Sequence, residues 1–96
     1  MTVYVSIGNS DDKLTQREWC SFVAEVEEEI EALARQIHGM WFSRPDAAWQ
    51  NACWCFEPPA DTRELKEDLA GIASLYRQDS IAWAEATTTF LKEPQP

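Results

Sequence analysis

Ninety-six residues are enough for one domain with one modest core. A hydrophobic content of 45% excludes a disordered chain, and no apolar run approaches the roughly 20 residues of a membrane-crossing helix. The net charge of −9 argues against a nucleic-acid binder, which needs a basic face, and against docking on an anionic membrane; it suits a basic protein partner, mimicry of nucleic-acid charge, or simple solubility.

The N-terminus has no basic start followed by an apolar stretch, as a secretory signal would, so a cytoplasmic location is expected. The odd count of three cysteines, Cys20, Cys53 and Cys55, agrees with that. Cys53 and Cys55 fall on one face of a strand pattern, about 7 Å apart, too far for a relaxed disulfide. Reduced thiols are expected.

In chain order, Thr2 to Ser6 alternate as a half-buried strand, with Val3, Val5 and Ile7 inward and Tyr4 outward. Gly8 to Lys13 break the pattern with turn formers. Thr15 and Glu18 form a capping box, with Leu14 and Trp19 as its hydrophobic staple. Trp19, Phe22, Val23, Val26, Ile30, Leu33 and Ile37 follow at helical spacing, glutamates take the other face, and Gly39 is expected to stop the helix. Met40 to Ser43 read as a second strand and Asn51 to Glu57 as a third, joined by Arg44 to Gln50, which is too long for a tight hairpin. Pro58-Pro59 end the ladder.

A second helix is predicted from an Asp61 cap boxed by Glu64, with Leu65, Leu69, Ile72, Ala73 and Tyr76 buried. Gly71 inside it suggests a close helix-on-sheet contact. Ser80 to Ala86 form the fourth strand, which Thr87 to Thr89 would extend, and Phe90 and Leu91 would pack back on the core. The domain is expected to span 1–93, with a frayed tail at 94–96.

The order β-α-β-β-α-β is that of the ferredoxin-like α+β fold. It implies a four-stranded antiparallel sheet of order 4-1-3-2 with both helices on one face. That topology carries three polar loops to one edge, gathering Asn9, Ser10, Asp11, Asp12, Lys13, Arg44, Asp46, Trp49, Gln50, Asn51, Arg77, Gln78, Asp79 and Ser80. Binding residues concentrate on loops held by a rigid sheet. Of these, Asn9, Asp11, Asp12, Arg44, Trp49, Gln50, Asn51, Arg77 and Asp79 are the candidate binding residues. Asn, Ser and Asp also serve as plain turn and cap residues, and the arginines could simply bridge the aspartates. Trp49 tips the balance, because a tryptophan is a poor choice for a mere connector and Trp and Arg are favoured interface anchors.

The open face of the sheet is the second candidate. Either Ala52, Trp54 and Phe56 or Cys53 and Cys55 point there; the core beside Trp19 and Phe22 cannot hold every aromatic ring. Tyr4, Trp54 and Trp83 are the expected interface residues, covered most simply by a second copy of the chain in a homodimer.

No catalytic motif stands out. The single histidine, His38, is expected at the opposite edge from Ser10 and the aspartates, near a helix C-terminus. Cys53, Cys55 and His38 have no familiar zinc spacing. Three scattered glycines make no phosphate-cradling loop, and no cofactor is expected. Asp11, Asp12, Asp46 and Asp79 could hold a divalent cation if they converged. Rings on the central strands would suit base stacking in RNA-recognition modules, but the acidity of the chain speaks against nucleic acid.

The segments Val5-Ser6-Ile7-Gly8-Asn9-Ser10-Asp11-Asp12-Lys13-Leu14-Thr15-Gln16 and Trp49-Gln50-Asn51-Ala52-Cys53-Trp54 resemble small uncharacterised proteins of actinobacteria and their phages. The resemblance covers most of the chain. It implies action by binding: blocking a host enzyme, neutralising a defence system or sequestering a signal molecule. The expected function is therefore a small acidic, non-catalytic protein that binds and modulates or inhibits a host protein through the edge around Trp49. The alternative is a sponge or sensor for a nucleotide-like small molecule at the same edge, and the third reading is a metal-dependent enzyme using the loop aspartates.

Overall fold

A computed structural model of the chain describes residues 1–9 and 11–94. Ser10, which the sequence places on the loop edge, and Gln95 and Pro96 of the expected tail lie outside the described residues. The elements are β1 (Thr2–Gly8), α1 (Gln16–Leu33), β2 (Gln36–Phe42), β3 (Asn51–Glu57), α2 (Arg63–Leu75) and β4 (Ala82–Ala86). The four strands form one antiparallel sheet in the order β2-β3-β1-β4, which is the expected order read from the other side. The chain is a βαββαβ, ferredoxin-like α+β domain.

The period-2 pattern of β1 buries Val3, Val5 and Ile7 on the helix side, where Trp54, Phe56 and Ala52 of β3 join them. Phe22, Val26 and Ile30 of α1 and Leu65 and Leu69 of α2 close this layer. The Phe22 and Tyr76 rings stack at 5.0 Å and tie α1 to the end of α2.

The start of α1 forms as its sequence dictates. The Glu18 N–H donates to Thr15 Oγ1 and the Thr15 N–H to Glu18 Oε1, both at 3.1 Å. Its other end differs from expectation. The helix stops at Leu33 rather than at Gly39, and residues 36–42 are strand. Ile37 keeps helical spacing, but β3 offers a ladder: the Arg35 N–H donates to the Glu57 carbonyl at 2.9 Å and Ile37 pairs with Phe56. Ile, His and Gly are weak helix formers, so sheet pairing overrides the periodicity. His38 thus lies on β2 at a register shift, 2.8 Å from Glu57 Oε2, and not at a helix terminus. Thr2 and then His38 hold the Glu57 carboxyl below its usual range.

The second helix also differs in detail. Its N-cap is Thr62, with no side-chain cap bond. The Asp61 carboxylate accepts instead from the Arg63 N–H at 3.0 Å and pairs with the Arg63 guanidinium, so there is no box with Glu64. A Cβ on Gly71 would meet nothing within 4 Å, which removes the expected close contact with the sheet. At the C-terminus, the Gln78 N–H donates to the Ala73 carbonyl and the Arg77 N–H to the Ser74 carbonyl, with Arg77 at φ 58°. This is a Schellman turn with arginine where glycine is usual. Strand β4 begins at Ala82 and ends at Ala86, so Thr87 to Thr89 do not extend it, and Phe90 and Leu91 are exposed rather than packed back.

Two expected interface residues are not on the open face. Trp54 is 1% exposed beneath the helices. Trp83 pairs with the inward-facing Val5, meets Phe56 edge-on at 6.0 Å and lies under Lys66 Nζ, so it too belongs to the helix side. Their indole N–H groups find no acceptor among the described residues. The open face carries Tyr4, Cys53, Cys55, Trp41 and the alanines of β4. There the neighbouring Cys55 thiol pushes the Tyr4 pKa up.

Candidate functional site

The three loops do converge on one edge, and the first two are joined through a buried amide. Asn9 follows β1 and is only 4% exposed. Its N–H donates to the Gln50 carbonyl at 2.9 Å. Its side-chain Oδ1 accepts from the Leu14 N–H at 3.1 Å, and Nδ2 donates to the Leu14 carbonyl and to Gln50 Oε1. Gln16 and Gln50 exchange amide hydrogen bonds at 3.1 and 2.9 Å. Asn9 and Gln50 therefore build the edge rather than offer free groups to a ligand. A Cβ on Gly8 would fall 2.8 Å from the movable Asn51 Oδ1 but 3.6 Å from the Gln50 carbonyl, so the approach of the strand ends does not itself require glycine.

The first and third loops meet through charge. Arg77 Nη2 donates to Glu18 Oε2 at 2.7 Å and more weakly to the Lys13 carbonyl. That guanidinium, followed by the Thr15 N–H, holds the Glu18 carboxyl below its usual range. Arg77 is thus committed to joining the start of α1 to the end of α2. Asp11 accepts from the Lys13 N–H, which lowers its pKa, and pairs with the Lys13 ammonium at 3.2 Å. Asp12 sits at φ 55°, its N–H bonded to the Asn9 carbonyl. Asp79 shares a shallow depression with Asp11 and Asn51.

Trp49 is the exposed centre of this edge. It is 56% exposed, and its carbonyl accepts from Asn51 Nδ2 at 3.1 Å. On one side lies a hollow of about 570 Å³ lined by Asn9, Asp11, Asp12, Gln16 and Gln50. On the other lies a hollow of about 240 Å³ lined by Trp19, Phe42, Arg44 and Pro45. Arg44 pairs with Asp46 at 3.2 Å, both well exposed. Phe42, absent from the candidates read from sequence, is 61% exposed and shares the smaller hollow with Trp49. The signal for it was the Trp41-Phe42 pair: neighbours on a strand face opposite ways, so an edge strand leaves both partly bare.

Arg77 lines neither hollow beside Trp49. Among the described residues, no three His, Cys, Asp or Glu side chains come together as a metal site, and no helix is long and apolar enough to cross a membrane. No family model, curated protein or solved structure matches the chain.

Proposed function

We propose that this chain is a small acidic, non-catalytic binding protein, of the kind phages use to modulate or inhibit a host protein, and that it docks on its partner through the Trp49 edge. One observation carries the reading. Trp49 is an exposed indole on a loop that is fixed to the sheet by the buried Asn9 amide. An anchor held in place before contact forfeits little conformational freedom on binding. Phe42 adds apolar surface, and the Arg44–Asp46 pair supplies a polar rim.

The same geometry favours a protein over a nucleotide-like ligand. The larger hollow is lined by Asp11 and Asp12 with no cation among its lining residues, which opposes a phosphate. The test is capture of partners from host lysate by the wild-type chain and by Trp49→Ala. Truncating a central tryptophan is expected to weaken binding by about 2 kcal/mol or more, with unchanged melting. Equal capture by both chains would overturn the anchor role.

A further inference from the structure

We propose that two copies of this chain pair antiparallel along β2, joining their sheets into one of eight strands. This goes beyond the Trp49 site, with which it shares Phe42, and does not require Trp49.

The two outer strands of the sheet differ. β4 has five residues, Ala-Trp-Ala-Glu-Ala, with its tryptophan turned under the helices. β2 has seven, Gln-Ile-His-Gly-Met-Trp-Phe, with no Lys, Arg, Asp, Glu or Pro. Charged residues and proline are how edge strands are kept from pairing, so β2 lacks the usual protection apart from its register shift at His38. Ile37, Trp41 and Phe42 are 38%, 54% and 61% exposed along it.

The backbone is set for pairing. The Ser43 N–H donates to the Asn51 carbonyl, and an antiparallel ladder alternates, so Gly39 and Trp41 turn their main-chain groups toward β3. Met40 and Phe42 turn theirs outward. A two-fold axis through Met40 places Met40 opposite its copy and Trp41 opposite Gly39 of the other chain.

Area and charge define the occupant as a weak second copy. The exposed parts of Ile37, Trp41 and Phe42 amount to on the order of 300 Å² per chain, and with the main-chain edges a pair covers about 1,000 Å², the lower limit of a specific interface. The net charge of −9 on each copy opposes association through the solvent while the contact itself is uncharged, so salt should strengthen the dimer by screening.

The experiment is sedimentation equilibrium of the full chain up to about 1 mM, at low and high salt, with hydrogen exchange on the same samples. The expected mass rises from 11.0 kDa towards twice that value, more readily in high salt, and the Met40 and Phe42 amides become protected as the mass rises. Phe42→Glu should abolish the rise while keeping the wild-type circular dichroism spectrum. A mass of 11.0 kDa at every concentration and salt overturns the proposal. So does a dimer in which those two amides exchange as fast as in the monomer. Retained dimerisation by Trp49→Ala with lost partner capture would separate this surface from the binding edge.

Discussion

Trp49 and Trp54 lie on either side of a strand start and meet opposite environments. Trp54 is one of three β3 side chains that alternate into the space under the helices and is 1% exposed; Trp49 ends the preceding loop and is 56% exposed. The same side chain fills the core in one place and is displayed in the other. What separates them is the backbone. β3 is held on both sides, by β1 and β2, so its period-2 alternation decides which residues are buried. The loop is held at its end by Gln50 and Asn9, which fixes where Trp49 sits without enclosing it.

The largest expected effect that probes this contrast is Trp54→Ala. It should cost about 3–5 kcal/mol and lower Tm by on the order of 20 °C for a domain of this size, read by circular dichroism melting. A loss under about 1 kcal/mol would place Trp54 outside the well-packed core. Next is Asn9→Ala, which strands the Leu14 N–H and carbonyl that the amide now satisfies. It should cost about 1–3 kcal/mol, visible as a lower urea midpoint with an unchanged slope. No cost would mean that the loop does not depend on this amide.

A third test addresses the helix layer, where Phe22, Val26 and Ile30 are buried while Glu29 faces α2. The hydrogen-bonded Asp68 carboxyl, then partial burial, raises the Glu29 pKa to about 7. The folded state therefore holds this proton more tightly than the unfolded chain. Its stabilising contribution is full below the ordinary carboxylate pKa and is lost as pH rises through about 7. Glu29→Gln should therefore raise the urea midpoint at pH 8, by about 1 kcal/mol or less at so solvated a site, and leave it unchanged near pH 4. An equal gain at both pH values would remove the shared proton as the cause. The smallest effect is that of Trp49→Ala on stability, within about 0.5 kcal/mol by the same melting measurement. A larger loss would make Trp49 part of the core's support and erase the contrast with Trp54.

Much of the fold was legible in the sequence where two independent signals agreed. The alternation of Val3, Val5 and Ile7 and the Thr15–Glu18 box each had a matching apolar pattern beside them, and both form as read. β3 was ambiguous for a physical reason: Ala52, Trp54 and Phe56 on one face and Cys53 and Cys55 on the other are both apolar sets, so alternation does not choose between them. Volume does, because only the larger set fills the space under two helices. The end of α1 misled because Ile37 satisfies the helical period and the ladder to β3 alike, and only tertiary pairing decides. At the loop edge, the convergence of the three loops could be read from topology. The commitment of Asn9 and Gln50 to hydrogen bonds and of Arg77 to Glu18 could not, since these same residue types also make good ligand contacts.

The position of β1 inside the sheet governs how the chain can assemble. Its neighbours are β3 and β4, with Gly8 opposite Asn51 and Thr2 opposite Ala86, so the first strand waits for the last one. Such non-local pairing makes folding slower than that of a helical bundle. In chain order β1, β2 and β3 are all synthesised before β4. The stretch from Glu57 to Ala86 then takes on the order of 2–6 s to emerge from the ribosome. Through that interval any sheet of the first three strands has a bare β1 edge, and the helix-side surface of Val5 and Phe56 lacks the cover that Trp83 brings.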